Sequence, residues 1–426
     1  RRTVPSPPLA QGSRGSSPRR RLLPTPRSGE GSRASSPRRQ SSPTPWSRQG
    51  SPASSSRPAS PGRAPSRSPS RRRSSSPWRW STLASPEHQP PPPVEELHES
   101  LMNVFLRVRP PVAREQGEPP GIQIKGNSVC VEELPGRRRQ WFDFEDVIDS
   151  SSESGPSDQE RVFEAVGQQT VQSVLDGFHT CVFSLGQTGT GKTYTLLGTP
   201  EDPGLLPRVI SSLLVRPQRC RLSCLELHMD RVRDLLADGQ KERPAPEVRC
   251  APHRGVYVSN LSEVLVEDAE AALKLVHLAT SNRAIAGTKM NAASSRGHAV
   301  YQLATEAGAR LCIVDLAGRE NEKTTGCSGQ SLAELSYINK SLFHLTQVIQ
   351  VLATNPGRGP KGRVPFRDSK LTLLLSDYLQ SARAFLVATA SPAASGAEET
   401  LATLRLAQAV RLITTRSRRS AGACAR

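Results

Sequence analysis

Eight consecutive residues carry the clearest chemistry in this chain: Gly186-Gln187-Thr188-Gly189-Thr190-Gly191-Lys192-Thr193, directly after the apolar run 181–185. Gly-x-x-x-x-Gly-Lys-Thr between a buried strand and a helix is a phosphate-binding pattern. Its glycines lack Cβ atoms, so the backbone curls tightly and turns its N–H groups toward an anion. Lys192 brings a point charge for the β- and γ-phosphates of a nucleotide, and the Thr193 hydroxyl is a ligand for Mg2+. The helix that opens there points its positive end at the same anion.

Such a loop needs a second oxygen ligand on the metal side and a group that senses the γ-phosphate. The run 311–315 delivers Asp315 at the end of an apolar strand, and Asp315-Leu-Ala-Gly318 puts a glycine N–H where it can touch the γ-phosphate and move when that group leaves. Between the two motifs lies Asn291-Ala-Ala-Ser294-Ser295-Arg296-Gly297-His298. Its serines can reach Mg2+ or the attacking water, and Arg296 can pair with Glu320. The competing reading is a helix-ending loop with no ligand. His298 alone reads as a hydrogen-bonded structural histidine. A guanine reader would add Asn/Thr-Lys-x-Asp; the nearest segment, Asn339-Lys340-Ser341-Leu342, lacks the aspartate, so ATP is the expected nucleotide.

The elements that must position these groups follow from hydrophobic spacing. Residues 103–108 and 181–185 read as apolar strands, 221–229 as an alternating strand, 299–305 with 310–315 as a hairpin turned at Gly308-Ala309, and 385–390 as a last strand. Helical spacing covers 160–176, 268–286, 332–352, 368–379 and 398–413, with a basic loop at 360–365. Strands alternating with helices around a phosphate loop predict an α/β domain with a central, mostly parallel sheet flanked by helices.

Charge is uneven. Residues 1–97 hold 18 Arg, no Lys and four acids, a net +14 of the chain's +18, which leaves +4 for 98–426. The basic character therefore belongs to the first segment and is no evidence that the folded part binds nucleic acid. That segment is Ser, Pro and Arg with too little apolar material to offset the entropy of ordering, so it is expected to be a disordered basic tail. Ser-Pro-Arg-Arg recurs at 17–20 and 36–39, a pattern for proline-directed phosphorylation, where added negative charge would cancel arginine charge. Its field attracts acidic partners, protein tails or nucleic acid; a solvated linker explains the composition equally well. The chain begins at Arg1, so an upstream piece is expected. No apolar run approaches a membrane span, and the eight cysteines have no framework spacing, which predicts a reduced, intracellular protein.

These motifs, in this order, resemble the motor domain of the kinesin superfamily: the loop 186–193, the segment 291–298 and Asp315-Leu-Ala-Gly318 look like its nucleotide loop and two switches. The likeness continues through Tyr337-Ile-Asn-Lys-Ser-Leu342, Val364-Pro-Phe-Arg-Asp-Ser-Lys-Leu-Thr372 and Glu399-Thr-Leu-Ala-Thr-Leu-Arg-Leu-Ala407, covering about 101–413. It implies a P-loop NTPase of the kinesin-motor type at 98–413, between a disordered tail at 1–97 and a short basic tail at 414–426. It implies ATP and Mg2+ as cofactors. Thr193 and Ser295 would ligate the metal, Asp315 would act through water, Ser294 would place the attacking water, and Arg296 with Glu320 would close the switches. Asn291 lies on the nucleotide side of the first switch. Arg107, Pro110, Phe163 and Tyr194 would sit beside the adenine. Lys323, Arg358, Lys361, Arg363, Arg367 and Lys370 would form a basic surface for tubulin, sensitive to salt. The function so implied is a microtubule-dependent motor ATPase of the cytoplasm and cytoskeleton. The alternative is an ATP-binding, microtubule-associated protein with impaired hydrolysis and no motility.

Several positions depart from the family pattern. Gly297 replaces a serine, which removes a hydroxyl and is expected to loosen the loop. Arg319 replaces a serine and puts a bulky cation beside Glu320, where it competes with Arg296. Gln380-Ser381-Ala382 stands where two glycines and a polar residue are usual. Neither a linker pattern nor heptads follow Ile413, which argues against two-headed walking.

Overall fold

A computed structural model describes residues 97–132, 139–150, 158–216, 218–237, 244–252, 254–288, 296–318, 330–354 and 363–420. They all lie within one compact unit, Glu87–Arg426.

Sixteen strands appear among the described residues: β1 (His98–Leu101), β2 (Asn103–Val108), β3 (Ile122–Lys125), β4 (Ser128–Glu132), β5 (Arg139–Asp143), β6 (Asp146–Asp149), β7 (Thr180–Leu185), β8 (Cys220–His228), β9 (Arg231–Asp234), β10 (Glu247–Ala251), β11 (Gly255–Ser259), β12 (Val264–Val266), β13 (His298–Thr305), β14 (Arg310–Asp315), β15 (Arg383–Ala390) and β16 (Thr414–Ser417). The helices are α1 (Asp158–Val162), continued through a π-turn at Phe163–Gly167 into α2 (Gln168–Leu175), then α3 (Lys192–Leu197), α4 (Leu205–Leu213), α5 (Ala269–Thr288), α6 (Gln330–Thr354), α7 (Lys370–Ser381) and α8 (Ala397–Arg411).

The main sheet runs β12-β8-β13-β14-β7-β15-β2-β6, with β9 paired to β8. Its parallel half, β14-β7-β15-β2-β6, holds the phosphate loop at the end of β7, between β14 and β15. The other half is antiparallel, because β8, β13 and β14 are joined as neighbours and the turn at Gly308 reverses the chain in a few residues. Alternation sorts side chains to the two faces. Cys181, Phe183 and Leu185 join the core under α6, α7 and α8, whereas Val182 joins the core under α2, α4 and α5. Helix α4 has no counterpart in the spacing analysis; Pro207 in its first turn reads as a breaker, yet there it removes only an N–H that has no helical partner.

The C-terminal segment corrects an expectation. Residues 414–426 read as a short tail without a linker pattern, but β16 pairs antiparallel with β1, from His98↔Ser417 to Leu101↔Thr414. Thr415 and Ser417 are fully buried. The chain then runs on, with the Ser420 N–H donating to the Gly177 carbonyl at 2.8 Å. Arg383 and Arg419 stand over the Phe178 ring at 3.7 and 5.2 Å. Residues 414–420 hold no strongly apolar side chain, so periodicity has nothing to detect.

Candidate nucleotide site

Strand β7 is buried along its whole length and stops at the loop, so the loop backbone starts from a fixed point in the sheet. Gly189 and Gly191 have φ of 80° and 97°, left-handed values that let the chain fold over an anion without a Cβ clash. Lys192, 7% exposed, turns its ammonium onto the Gly186 and Gln187 carbonyls at 2.9 Å each. Thr190 Oγ1 meets Thr389 Oγ1 of β15 at 2.6 Å, which pins the loop to the neighbouring strand.

A cavity of about 200 Å3 opens over this loop, lined by Thr188, Gly189, Gly191, Lys192, Thr193, Tyr194, Leu316 and Gly318. Gly318 lies so close to Thr188 that no Cβ fits there. Asp315, at the end of β14, accepts from Thr193 Oγ1 at 2.7 Å, so the two metal-side groups predicted from sequence are in direct contact. Hard oxygen donors from a hydroxyl and a carboxylate, beside a lysine and a buried Thr188 Oγ1 with no hydrogen-bond partner, suit Mg2+ with nucleotide phosphates.

Two side chains behind the cavity carry roles that sequence reasoning missed. Arg283 of α5 is buried and bonds Asp315 Oδ2 at 2.8 Å, Glu226 Oε1 at 3.3 Å and the Gly297 carbonyl at 2.8 Å. Burial works against its charge, but Asp315 chiefly, with Glu226, outweighs that and raises its pKa. The available signal was positional: Arg283 continues the buried stripe of Ala272, Val276 and Ala279, where a cation needs a carboxylate partner. Likewise Glu226 sits in an otherwise neutral, buried stretch of β8. Gly297 is therefore not loosened as expected. Its carbonyl is held by Arg283, and a Cβ there would stand 2.7 Å from Glu226 Oε1.

Arg109 is the second omission. Its Nε donates to the Gly189 carbonyl at 2.7 Å, and its two Nη groups grip Glu115 at 2.7 and 2.6 Å. That grip pulls the Glu115 carboxyl down to about 2. Arg107, expected beside the adenine, is buried in β2. It donates to Ser150, Gln159 and Thr195 and lies 5.1 Å from the Tyr194 ring centre. Burial outweighs its attraction to Asp158 and lowers its pKa. Tyr194 and Pro110 are exposed, while Phe163 is half-buried against the core.

His298 crosses three elements. Its Nδ1 accepts from the Ala317 N–H at 3.0 Å, and its Nε2 lies 2.8 Å from Ser341 Oγ on α6. The Ala317 bond leaves the ring proton on Nε2. Burial first, then Arg283 and Lys192, pushes its pKa down to about 3. Exposed Tyr337 and Phe343 flank exposed Lys340 on the outer side of α6. Arg363 and Arg367 are exposed on the loop before α7, and Lys370 is half-buried at its start. Asn291, Ser294, Ser295, Arg319, Glu320, Lys323, Arg358 and Lys361 lie outside the described residues.

A glycine loop after a buried strand, a strand-end aspartate and a facing glycine around one cavity define a P-loop nucleoside-triphosphatase domain. The kinesin motor-domain family model matches residues 107–413, and the chain belongs to that family. Kinesin-like protein KIN-12E of Arabidopsis thaliana is 34% identical over 352 residues, 73% of this chain and 27% of that protein. Kinesin-like protein KIF13B of Homo sapiens is 38% identical over 284 residues, 61% of this chain and 16% of that protein. A KIF14 dimer solved with AMP-PNP on a microtubule superposes with a TM-score of 0.68 at 31% identity, covering 76% of this chain and 97% of that one. The chain thus spans little more than a quarter, or less, of the length of these curated relatives.

Proposed function

We propose that the chain is a microtubule-dependent motor ATPase that binds and hydrolyses ATP with Mg2+ and works on microtubules of the cytoplasmic cytoskeleton. The observation that carries this reading is the continuity from cavity to surface. Gly318 borders the phosphate cavity, Ala317 beside it donates to His298, and His298 reaches Ser341 on the helix that exposes Tyr337, Lys340 and Phe343. A shift at the γ-phosphate side therefore has a hydrogen-bonded path to the outer face of α6. Lys192 and the loop amides hold the phosphates, Thr193, Ser295 and Asp315 serve the metal, Ser294 places water, and Arg296 with Glu320 closes the site. When bound, Mg2+ neutralises charge on the phosphate oxygens. The arginine-rich residues 1–97 add a second attachment to acidic surfaces.

The second reading, an ATP-binding microtubule-associated protein with impaired hydrolysis, is favoured by Arg319 beside Glu320. One experiment separates them: basal and microtubule-stimulated ATP turnover of the purified chain, with gliding in the same preparation. Stimulated turnover that Lys192→Ala abolishes supports the motor. Microtubule binding without turnover, restored at least tenfold by Arg319→Ser, supports the second reading. No nucleotide binding in the parent chain overturns both.

A further inference from the structure

A second polar cavity, also about 200 Å3, lies at the far end of β13 from the nucleotide site, between the sheet, the β10–β11 hairpin and α7. Ala304 is six residues along the strand from His298, about 20 Å at 3.4 Å per residue. Strand register sets the floor of this cavity. Ala304 stands opposite Arg221 of β8 on one side and opposite Arg310 of β14 on the other. Directly opposed residues share a face with Cβ atoms about 5 Å apart. The small alanine therefore leaves a gap between two arginines, both of which line the cavity.

The row behind contributes neutral polar groups, each with a donor hydrogen. Gln302, opposite Ser223, offers its amide at 3.4 Å from Tyr378 Oη of α7. Arg254 from the hairpin closes the rim, stacked 4.2 Å over the Tyr257 ring. Two carboxylates are near, and both are engaged: Glu263 with Arg254 at 3.6 Å, and Asp377 with the Val256 N–H at 2.8 Å. Neither Arg221 nor Arg310 has a carboxylate partner within 4 Å among the described residues. Arg310 is close enough to Tyr378 and to His179 to influence both.

We propose that this cavity binds a phosphoryl group. Three guanidiniums around a compact hollow, joined by an amide, a hydroxyl and a phenol, present forked donors on several sides, which suits a tetrahedral dianion with three acceptor oxygens. The ligand is either free phosphate or a phosphorylated serine side chain. A bound phosphoryl group ties the β10–β11 hairpin to the sheet and, through Tyr378, to α7, the helix that follows the basic loop.

The test uses the full chain saturated with ADP and Mg2+, so that the nucleotide site is filled. It is titrated calorimetrically at fixed ionic strength with inorganic phosphate, a phosphoserine peptide and the same peptide unphosphorylated. Saturable binding of phosphate or the phosphopeptide is expected, at least tenfold weaker in Arg310→Gln and in Arg221→Gln. Both positions are exposed, so thermal unfolding of the two variants should match the parent. Ala304→Gln, which fills the gap and keeps both arginines, should weaken binding similarly. Binding of phosphate alone names the free anion as ligand, and binding of the phosphopeptide alone names the side chain. No saturable binding, equal affinity in all three variants, or equal binding of the unphosphorylated peptide overturns the proposal.

Discussion

At the scale of single residues, Gly297 changes meaning between sequence and structure. Its type alone suggests a loop that has lost a hydroxyl and gained freedom. In three dimensions it is the residue that leaves room for Glu226, held between Arg283 at 3.3 Å and Arg233 at 2.8 Å. A side chain there must displace a carboxylate whose two partners fix it from opposite directions. Gly297→Ser is therefore expected to destabilise the fold by about 1–3 kcal/mol, the usual range for overpacking a filled site. Urea unfolding would measure it, and an unchanged midpoint would show that Glu226 can step aside. The phosphate loop and Asp315 were legible in the sequence because their spacing is dictated by backbone chemistry within a short stretch. Arg283 was not, because its meaning depends on Asp315, 32 residues away, and on Glu226, 57 away.

At the scale of elements, the main strands and long helices were legible, since each shows enough apolar periodicity to bury one face. Helix α4 and the short strands β1, β3 to β6, β9 to β12 and β16 escaped because three to nine residues do not establish a period. His298 was read as structural, and so it is, but what it joins became visible only when β13, the residues after β14 and α6 came together. A buried neutral imidazole makes that junction sensitive to pH. Its folded pKa, about 3, lies below the ordinary value of 6.5, so the unfolded chain binds more protons between these values. Stability is then full above pH 6.5 and lost as pH falls toward 3, with a slope of up to about 1.4 kcal/mol per pH unit. His298→Gln keeps an N–H for Ser341 and removes the titration. The variant should be less stable near neutrality, and its stability should fall less steeply than the parent's between pH 6.5 and 5. Denaturant unfolding across that range checks it; parallel curves would mean that His298 does not titrate on unfolding.

At the scale of the molecule, the two ends of the folded part meet: β1 precedes the first strand of the sheet and β16 follows its last helix. A pair of four-residue strands is weak by itself, so its stability must come from burial beneath it. Thr415 and Ser417 supply that, both fully buried, and Thr415 Oγ1 lies 3.4 Å from Ser100 Oγ. Arg416, between them, faces outward and pairs with Glu99 at 2.8 Å, where solvent screens the ion pair and leaves it little weight. Burial of Thr415 and Ser417, rather than the Arg416–Glu99 ion pair, thus holds β16 itself against β1. Thr415→Glu puts a carboxylate into that fully buried position, a cost that exceeds what the short ladder can supply. The expected result is release of β16 with the rest of the domain intact: hydrogen exchange at 98–101 and 414–417 should rise at least tenfold, while exchange in β7 and β14 stays at its parent rate. Arg416→Gln should leave all four segments unchanged. If Arg416→Gln frees the strand and Thr415→Glu does not, the segment is held by its surface charges and the argument from burial fails.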